Sequence, residues 1–492
     1  MILGRFKTHI EEEKMKVKMF IGGEWVDSSS GETFEDHNPF DGSLFAVVPK
    51  GDERDAARAI EAAHRAKDRW ADLAPAERIQ YLFKLLEVLE RRGDEVVEVL
   101  VKESGSVVKK AGFEVFFTKG MIQDAIAEAK RVSGETLVSD VGKFSFYIRQ
   151  PVGVVVAISP WNFPFLLSMK KVLYALVLGN TVVLKPSSDT PVVGIKIAEL
   201  FEEVGLPPGA LNVVTGPGSA VGEALVTHPK VSHITLTGDA ATGRRVAELA
   251  ARGLKGVTLE LGGNDPLIVL EDADLEQAVD AAVFGAFFHQ GQICMSSKRI
   301  ILEKGIAEEF TSRFVQRVKG LKVGDPSSPE TDIGPVINQA QLLEVHDQVT
   351  DALNKGAKLL CGGTYNGLLY EPTVLTDVTE EMRIFKEEVF GPARPIIVAE
   401  DADQAVRIAN NSIYGLSAGI ITRDVPKAIE MAKRLECGMV HINDSSVHDE
   451  PHAPFGGVKS SGIGREGGKF SMAELTEIKW VTIQPFRRHY PI

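Results

Sequence analysis

Val152-Gly153-Val154-Val155-Val156-Ala157-Ile158 opens a stretch, 151–270, in which short β-branched runs alternate with amphipathic segments. The pattern predicts strands at Val152–Ile158, Thr181–Lys185, Leu211–Thr215, His233–Thr237, Val257–Leu261 and Leu267–Leu270. Helical spacing fills the intervals at Leu166–Leu178, Pro191–Val204, Ala220–Thr227 and Ala241–Arg252. Strands that are apolar throughout and alternate with helices form a parallel sheet covered on both faces. The fold class expected is therefore α/β, doubly wound, with ligands at the carboxyl ends of the strands.

Outward from that core, Asp52–Trp70, Ala74–Ser104 and Val107–Lys130 read as three helices rich in Glu, Lys, Arg and Ala. Between 131 and 150, Leu137-Val138 and Phe144-Ser145-Phe146-Tyr147-Ile148 flank an Asp-Val-Gly-Lys turn and predict an antiparallel hairpin. Its aromatic edge is a candidate for pairing with another subunit. After Gly263 a second helix–strand alternation runs to about Asn443 and implies a second α/β domain.

Composition excludes several classes. A chain of 492 residues is long enough for two or three domains, and 55 Lys+Arg against 68 Asp+Glu gives −13, which disfavours a nucleic-acid surface. Three cysteines make no disulfide framework, so a cytoplasmic setting is expected. No apolar run reaches the length of about 18 residues that a membrane span needs. Met1 to Lys18 mixes charges of both signs, lacks the apolar stretch of a signal peptide, and reads as an extension before a fold beginning near Met19.

Three polar residues stand in unusual settings. Cys294 lies in Gly291-Gln292-Ile293-Cys294-Met295-Ser296-Ser297, just past a predicted helix, and is either a reachable nucleophile or a structural thiol. Cys361 and Cys437 read as core or loop thiols. Asn162, inside Pro160-Trp161-Asn162-Phe163-Pro164 after a strand, is either a turn former or an oxyanion donor on a proline-stiffened loop. Glu260, in Leu259-Glu260-Leu261-Gly262-Gly263-Asn264, ends an apolar strand and needs a partner or a proton-transfer role.

Three strand ends also carry nucleotide-type features. Thr215-Gly216-Pro217-Gly218-Ser219-Ala220-Val221-Gly222 has the start of a G-x-G loop without its full spacing. Thr237-Gly238-Asp239 through Gly243 is a second strand–glycine–helix junction, and Lys185-Pro186-Ser187-Ser188 adds a cation and hydroxyls. Three such ends make a single crevice more economical than three unrelated turns.

Taken in order, P-W-N-F-P, K-P-S, L-E-L-G-G-N, G-Q-x-C, Glu387–Pro392 (E-E-V-F-G-P) and Pro454–Gly462 (P-F-G-G-V-K-x-S-G) resemble the NAD(P)-dependent aldehyde dehydrogenases, from about Phe20 to Trp480. The resemblance implies a cofactor domain (1–130 and 151–262), a catalytic domain (263–443, extending to about 468) and an oligomerisation element (131–150 and 469–492). It also implies a homodimer or homotetramer and no metal. Cys294 would attack the aldehyde, Asn162 and the Cys294 N–H would hold the oxyanion, and Glu260 would activate the water that releases a carboxylic acid. The cofactor, NAD or NADP, would lie on Ile158, Ser159, Trp161, Lys185, Ser187, Ser188, Gly218, Gly222, Thr237, Gly238, Asp239, Thr242, Gly243, Leu261, Glu388 and Phe390. Lys185 would take the adenosine ribose and Glu388 the nicotinamide ribose.

Two departures from the family pattern carry expectations. Many NAD-preferring relatives have Glu where this chain has Ser188, so NADP acceptance, or preference, is expected. Asp239 replaces a common Ser and suits a helix N-cap better than a phosphate contact. The run 443–452 resembles the branch acting on benzaldehyde, salicylaldehyde and vanillin. Phe163, Leu167, Ile293, Met295 and Phe455 would supply an apolar pocket, with small hydroxyaldehydes such as glyceraldehyde as the alternative substrates. Lys170 is read as a solvated helix lysine in preference to a pocket-facing one. A cofactor-independent thiol hydrolase leaves Lys185 and Glu388 unexplained. A CoA-acylating enzyme leaves Glu260 without its role, and a non-catalytic relative would be expected to lose Cys294 or Glu260.

Overall fold

A computed structural model describes residues 15–492; residues 1–14, most of the expected N-terminal extension, lie outside the described residues. The fold begins earlier than Met19, because Met15–Lys16 pairs in parallel with Leu44–Pro49, which also pairs with Thr33–His37.

The larger of the two main sheets has eight strands. Its five parallel members stand in the spatial order Gly256–Glu260, His233–Thr237, Val154–Ile158, Thr181–Lys185, Leu211–Val213. Antiparallel strands close both edges: Gly462–Ile463 beside Gly256–Glu260, and Met19–Ile21 with Glu24–Val26 beyond Leu211–Val213. The chain winds outward on one side of Val154–Ile158, then returns across it to His233–Thr237. That reversal makes a topological switch point between the two strands. Register brings the strand ends level, with Ile158 opposite Lys185, Leu236 opposite Ile158 and Thr237 opposite Glu260.

Alternation of side chains explains why these strands read as continuous apolar runs. Val155, Ala157, Val182 and Leu184 enter one core, and Val154, Val156, Val183 and Ile234 enter the other. Both faces are buried, so no polar face appears in the sequence. Helices Glu53–Ala71, Pro75–Ser104, Val108–Ala129, Pro164–Val177 and Pro191–Glu203 supply much of the cover. The expected helix 220–227 starts as a π turn, Gly218–Gly222, before Glu223–Thr227.

The second sheet has seven strands, ordered Lys358–Cys361, Thr373–Thr376, Ala393–Ala399, Ser297–Glu303, Asp265–Val269, Ser417–Ile421, Met439–Ile442. All its pairings are parallel except the first. The strand read at 267–270 therefore belongs here and not to the first sheet. Gly262-Gly263 join the two sheets where other atoms come close: a Cβ on Gly262 would lie 2.0 Å from Glu388 Oε2 and one on Gly263 2.7 Å from the Cys294 carbonyl oxygen. The hairpin is present as Glu135–Leu137 and Phe144–Pro151, and Thr476–Ile483 adds a third strand along its full length. Among the described residues no helix is long and apolar enough to cross a membrane.

Candidate active site

A cleft of about 970 Å³ opens at the level strand ends of the first sheet, with residues of the second sheet's loops on the opposite wall. Ile158, Ser159, Trp161, Lys185, Ser187, Ser188, Gly218, Gly222, Thr237, Gly238, Asp239 and Thr242 line it from the first side, Glu388 and Phe390 from the second. Asn162 and Cys294 share the same wall space. Gly243 and Leu261 do not line it. They pack against each other, and a Cβ on Gly243 would come within 2.5 Å of the Leu261 methyls.

Cys294 sits between a tight left-handed turn and the strand Ser297–Glu303. His289, Gln290 and Gly291 have φ of 50°, 57° and 69°, a costly run for the two non-glycine residues. Surrounding bonds hold it: Gln290 Nε2 donates to the carbonyls of Gly105 and Pro335, and Arg394 donates to the Gly291 carbonyl and to Ser296 Oγ. Burial pushes the Cys294 thiol up to about 12; Lys298 opposes the shift, while Glu388, Asp265 and Glu260 reinforce it.

Asn162 is equally fixed. Its Nδ2 donates to the Gln292 carbonyl at 2.9 Å, leaving a second N–H on the same amide. Its own carbonyl accepts from buried Lys110 (2.5 Å), which also pairs with Glu114 (2.5 Å). Glu114 Oε2 in turn accepts the N–H of Leu166 in the first turn of Pro164–Val177. The amide is thus pinned from the Gln292 side and the loop from the Lys110 side.

Glu260 ends its strand buried, both oxygens lack a partner, and it does not line the cleft. Burial, reinforced by Glu466, raises its carboxyl well above the ordinary value against the pull of Lys171, Lys170 and Arg465. Lys171 Nζ bonds Glu466 at 2.7 Å and Thr235 at 3.1 Å. Lys170, expected in solvent, is 2 % exposed and pairs with Asp449 at 2.9 Å, over the Phe455 ring. Its helix is covered on every face, which the sequence's pair of adjacent lysines concealed.

The cofactor wall fits a dinucleotide. Thr237 Oγ1 is buried against the cleft without a partner, and Lys185 brings a cation whose burial lowers it to about 8. Glu388 offers a carboxylate, and Trp161 and Phe390 meet edge to face at 5.3 Å. Asp239 caps the helix Ala240–Ala251, accepting from the N–H groups of Ala241 and Thr242. Ser188 Oγ donates to the Gly216 carbonyl.

The sequence reading missed Lys110, Arg245, Lys298, Phe288 and Tyr414. Arg245 and Tyr414 line the cleft, and Lys298 lies behind Cys294. Phe288 joins Phe163 at 6.5 Å, Phe113 at 6.0 Å and Phe284 at 5.1 Å, a string of rings running from beside Asn162 to exposed positions. Lys298 alone had a usable signal, a charged residue four places after the cysteine at the start of an apolar strand.

A cysteine and an amide side chain lining one cleft between two α/β sheets agree with the resemblance. Residues 25–481 match the aldehyde dehydrogenase family, and the chain belongs to it. It is an aldehyde oxidoreductase using NAD(P). The vanillin dehydrogenase of Pseudomonas fluorescens is 42% identical over 482 residues, covering 97% of this chain and 100% of that one. The structure of a salicylaldehyde dehydrogenase from Pseudomonas putida, complexed with salicylaldehyde, superposes with a TM-score of 0.95 at 40% identity, covering 97% and 100% of the two chains. An NADP-dependent enzyme of E. coli gives 0.94 at 36% identity, with 95% and 98% covered.

Proposed function

We propose that this chain oxidises aromatic aldehydes to carboxylic acids with Cys294 as nucleophile, Asn162 as oxyanion donor and Glu260 as the base for hydrolysis. The observation that carries the reading is Cys294 and Asn162 sharing one cleft with Lys185 and Glu388. With its proton released to solvent, the Cys294 sulfur adds as thiolate to the aldehyde carbon, and the oxygen, now bearing charge, is met by the free Asn162 N–H and the Cys294 backbone N–H. NAD(P) held by Lys185 and Glu388 would supply the hydride acceptor for that carbon, so that a thioester on Cys294 would remain. Glu260, with its raised proton affinity, takes a proton from water as the water attacks the thioester, the carbon–sulfur bond breaks, and the Cys294 sulfur leaves as thiolate.

Lys185 and Glu388 would hold the two riboses, and NADP would be accepted because Ser188 adds no carboxylate at the position where many NAD-preferring relatives carry Glu, while Lys185 supplies positive charge. The ring string through Phe163, Phe288 and Phe113 supports an aromatic substrate, since such pairs add to area burial through edge and stacked contacts. Exposed Phe144, Ile148, Ile478 and Trp480 on the three-stranded sheet support a homodimer or homotetramer built there, and the cytoplasm is the compartment proposed.

Absorbance at 340 nm, with benzaldehyde or glyceraldehyde and each cofactor, tests the reading in wild type and Cys294→Ala. Benzaldehyde oxidation lost in the variant is expected. No signal from wild type with benzaldehyde, vanillin or salicylaldehyde would overturn the substrate class.

A further inference from the structure

Lys298 is fully buried; its Nζ donates to the Ile293 carbonyl at 2.8 Å and to the Cys294 carbonyl, and forms an ion pair with Glu388 Oε1 at 3.1 Å. The contrast with its neighbour is informative. Arg299, equally buried, spends its donors on the backbone carbonyls of Asn264, Ile408 and Ala409 and so serves as a clamp between chain segments. Lys298 reaches instead from the nucleophile's backbone to a carboxylate on the cofactor wall of the cleft.

We propose that Lys298 is a positioning residue that ties the Glu388 carboxylate to the backbone of Cys294, so that one buried cation sets both cofactor contact and nucleophile geometry. The inference rests on the roles proposed above for Cys294 and Glu388. A cation bonded to the Ile293 and Cys294 carbonyls fixes those two peptide planes, and with them the direction of the Cys294 N–H. The same cation holds Glu388 Oε1, which also accepts from the Gly263 N–H at 3.1 Å. Oε2 then has little freedom, since even a Cβ on Gly262 would lie 2.0 Å from it.

Charge strengthens the argument from geometry. Four groups act on the Cys294 thiol: Glu388, Asp265 and Glu260 oppose the thiolate, and Lys298 favours it. Lys298 also tops the opposing influences that draw Glu388 and Asp265 back down from the rise that burial causes. Removing the cation should therefore make the thiol harder to ionise and loosen the ribose acceptor together, although Cys294 and Glu388 belong to different elements. Removing the Glu388 charge should act on the thiol in the opposite direction.

The test measures alkylation of Cys294 by iodoacetamide from pH 7 to 10, with mass spectrometry to separate this adduct from those at Cys361 and Cys437, and NAD(P) binding by equilibrium dialysis. Lys298→Met should alkylate about tenfold more slowly at each pH and bind cofactor about tenfold more weakly. Glu388→Gln should alkylate several-fold faster than wild type. Folded Lys298→Met with both quantities within twofold of wild type would overturn the proposal. Should Lys298→Met fail to fold, Glu388→Gln still decides: unchanged or slower alkylation overturns it. Wild-type oxidation of aldehydes is read separately at 340 nm, so an inactive wild type with the alkylation contrast intact counts against the proposed reaction and for the role of Lys298.

Discussion

Glu260 and Glu388 are both carboxylates pressed against a glycine, and burial raises both, yet the structure treats them oppositely. A Cβ on Gly456 would lie 2.6 Å from Glu260 Oε1, as one on Gly262 would lie 2.0 Å from Glu388 Oε2, so each carboxylate needs a residue without a side chain beside it. Glu388 has a cation and a backbone N–H on the same oxygen. Glu260 has no partner on either. A buried carboxylate with partners is an anchored acceptor, suited to holding sugar hydroxyls. One without partners is stable mainly in its neutral form and gains or loses a proton with little rearrangement, which suits a base used once per cycle.

The largest expected effect breaks the pair at Glu260. Glu260→Gln keeps shape and removes the proton acceptor, so one equivalent of reduced cofactor should form in a burst while steady turnover falls about 100- to 10,000-fold. In wild type, raising the pH ionises the raised carboxyl, so steady turnover should climb with pH; in the variant that limb should vanish. Stopped-flow absorbance across pH checks both, and full steady turnover in Glu260→Gln would sink the base assignment. Asn162→Ala comes next. A single preorganised donor is worth about 3 kcal/mol, so kcat should drop by a factor of hundreds with the burst reduced as well, while cofactor binding by dialysis stays near wild type. Loss of the burst separates this variant from Glu260→Gln.

How much of this was legible in the sequence depends on where the deciding contact lies. The parallel strands were readable because both faces are buried and the residues are β-branched, a property local to each run. Cys294, Asn162 and Glu260 stood out because a polar residue beside prolines, glycines or an apolar strand end is locally anomalous. Lys110 and Glu114 were not readable: four apart on a helix rich in charge, they resemble a solvated pair, and only the Asn162 carbonyl, 52 residues away, makes the site buried. Lys170 was misread for the same reason, since Asp449 and Phe455 arrive from the far end of the chain. The sheet membership of Asp265–Val269 was likewise set by partners at 297–303 and 417–421.

Smaller effects sharpen the contrast from the cofactor side. Glu388→Gln should weaken cofactor binding about tenfold, the loss of one charge-assisted acceptor, without separating burst from steady turnover. Ser188→Glu, at an exposed position bordering the cleft, adds a third carboxylate to the comparison. At an exposed position it would remain ionised, unlike Glu260. It should therefore repel a 2′-phosphate while leaving a free 2′-hydroxyl an acceptor, and the NADP-to-NAD ratio of kcat/KM should fall about tenfold. Steady-state assays with both cofactors decide it: an unchanged ratio means that charge at position 188 is not what selects between them.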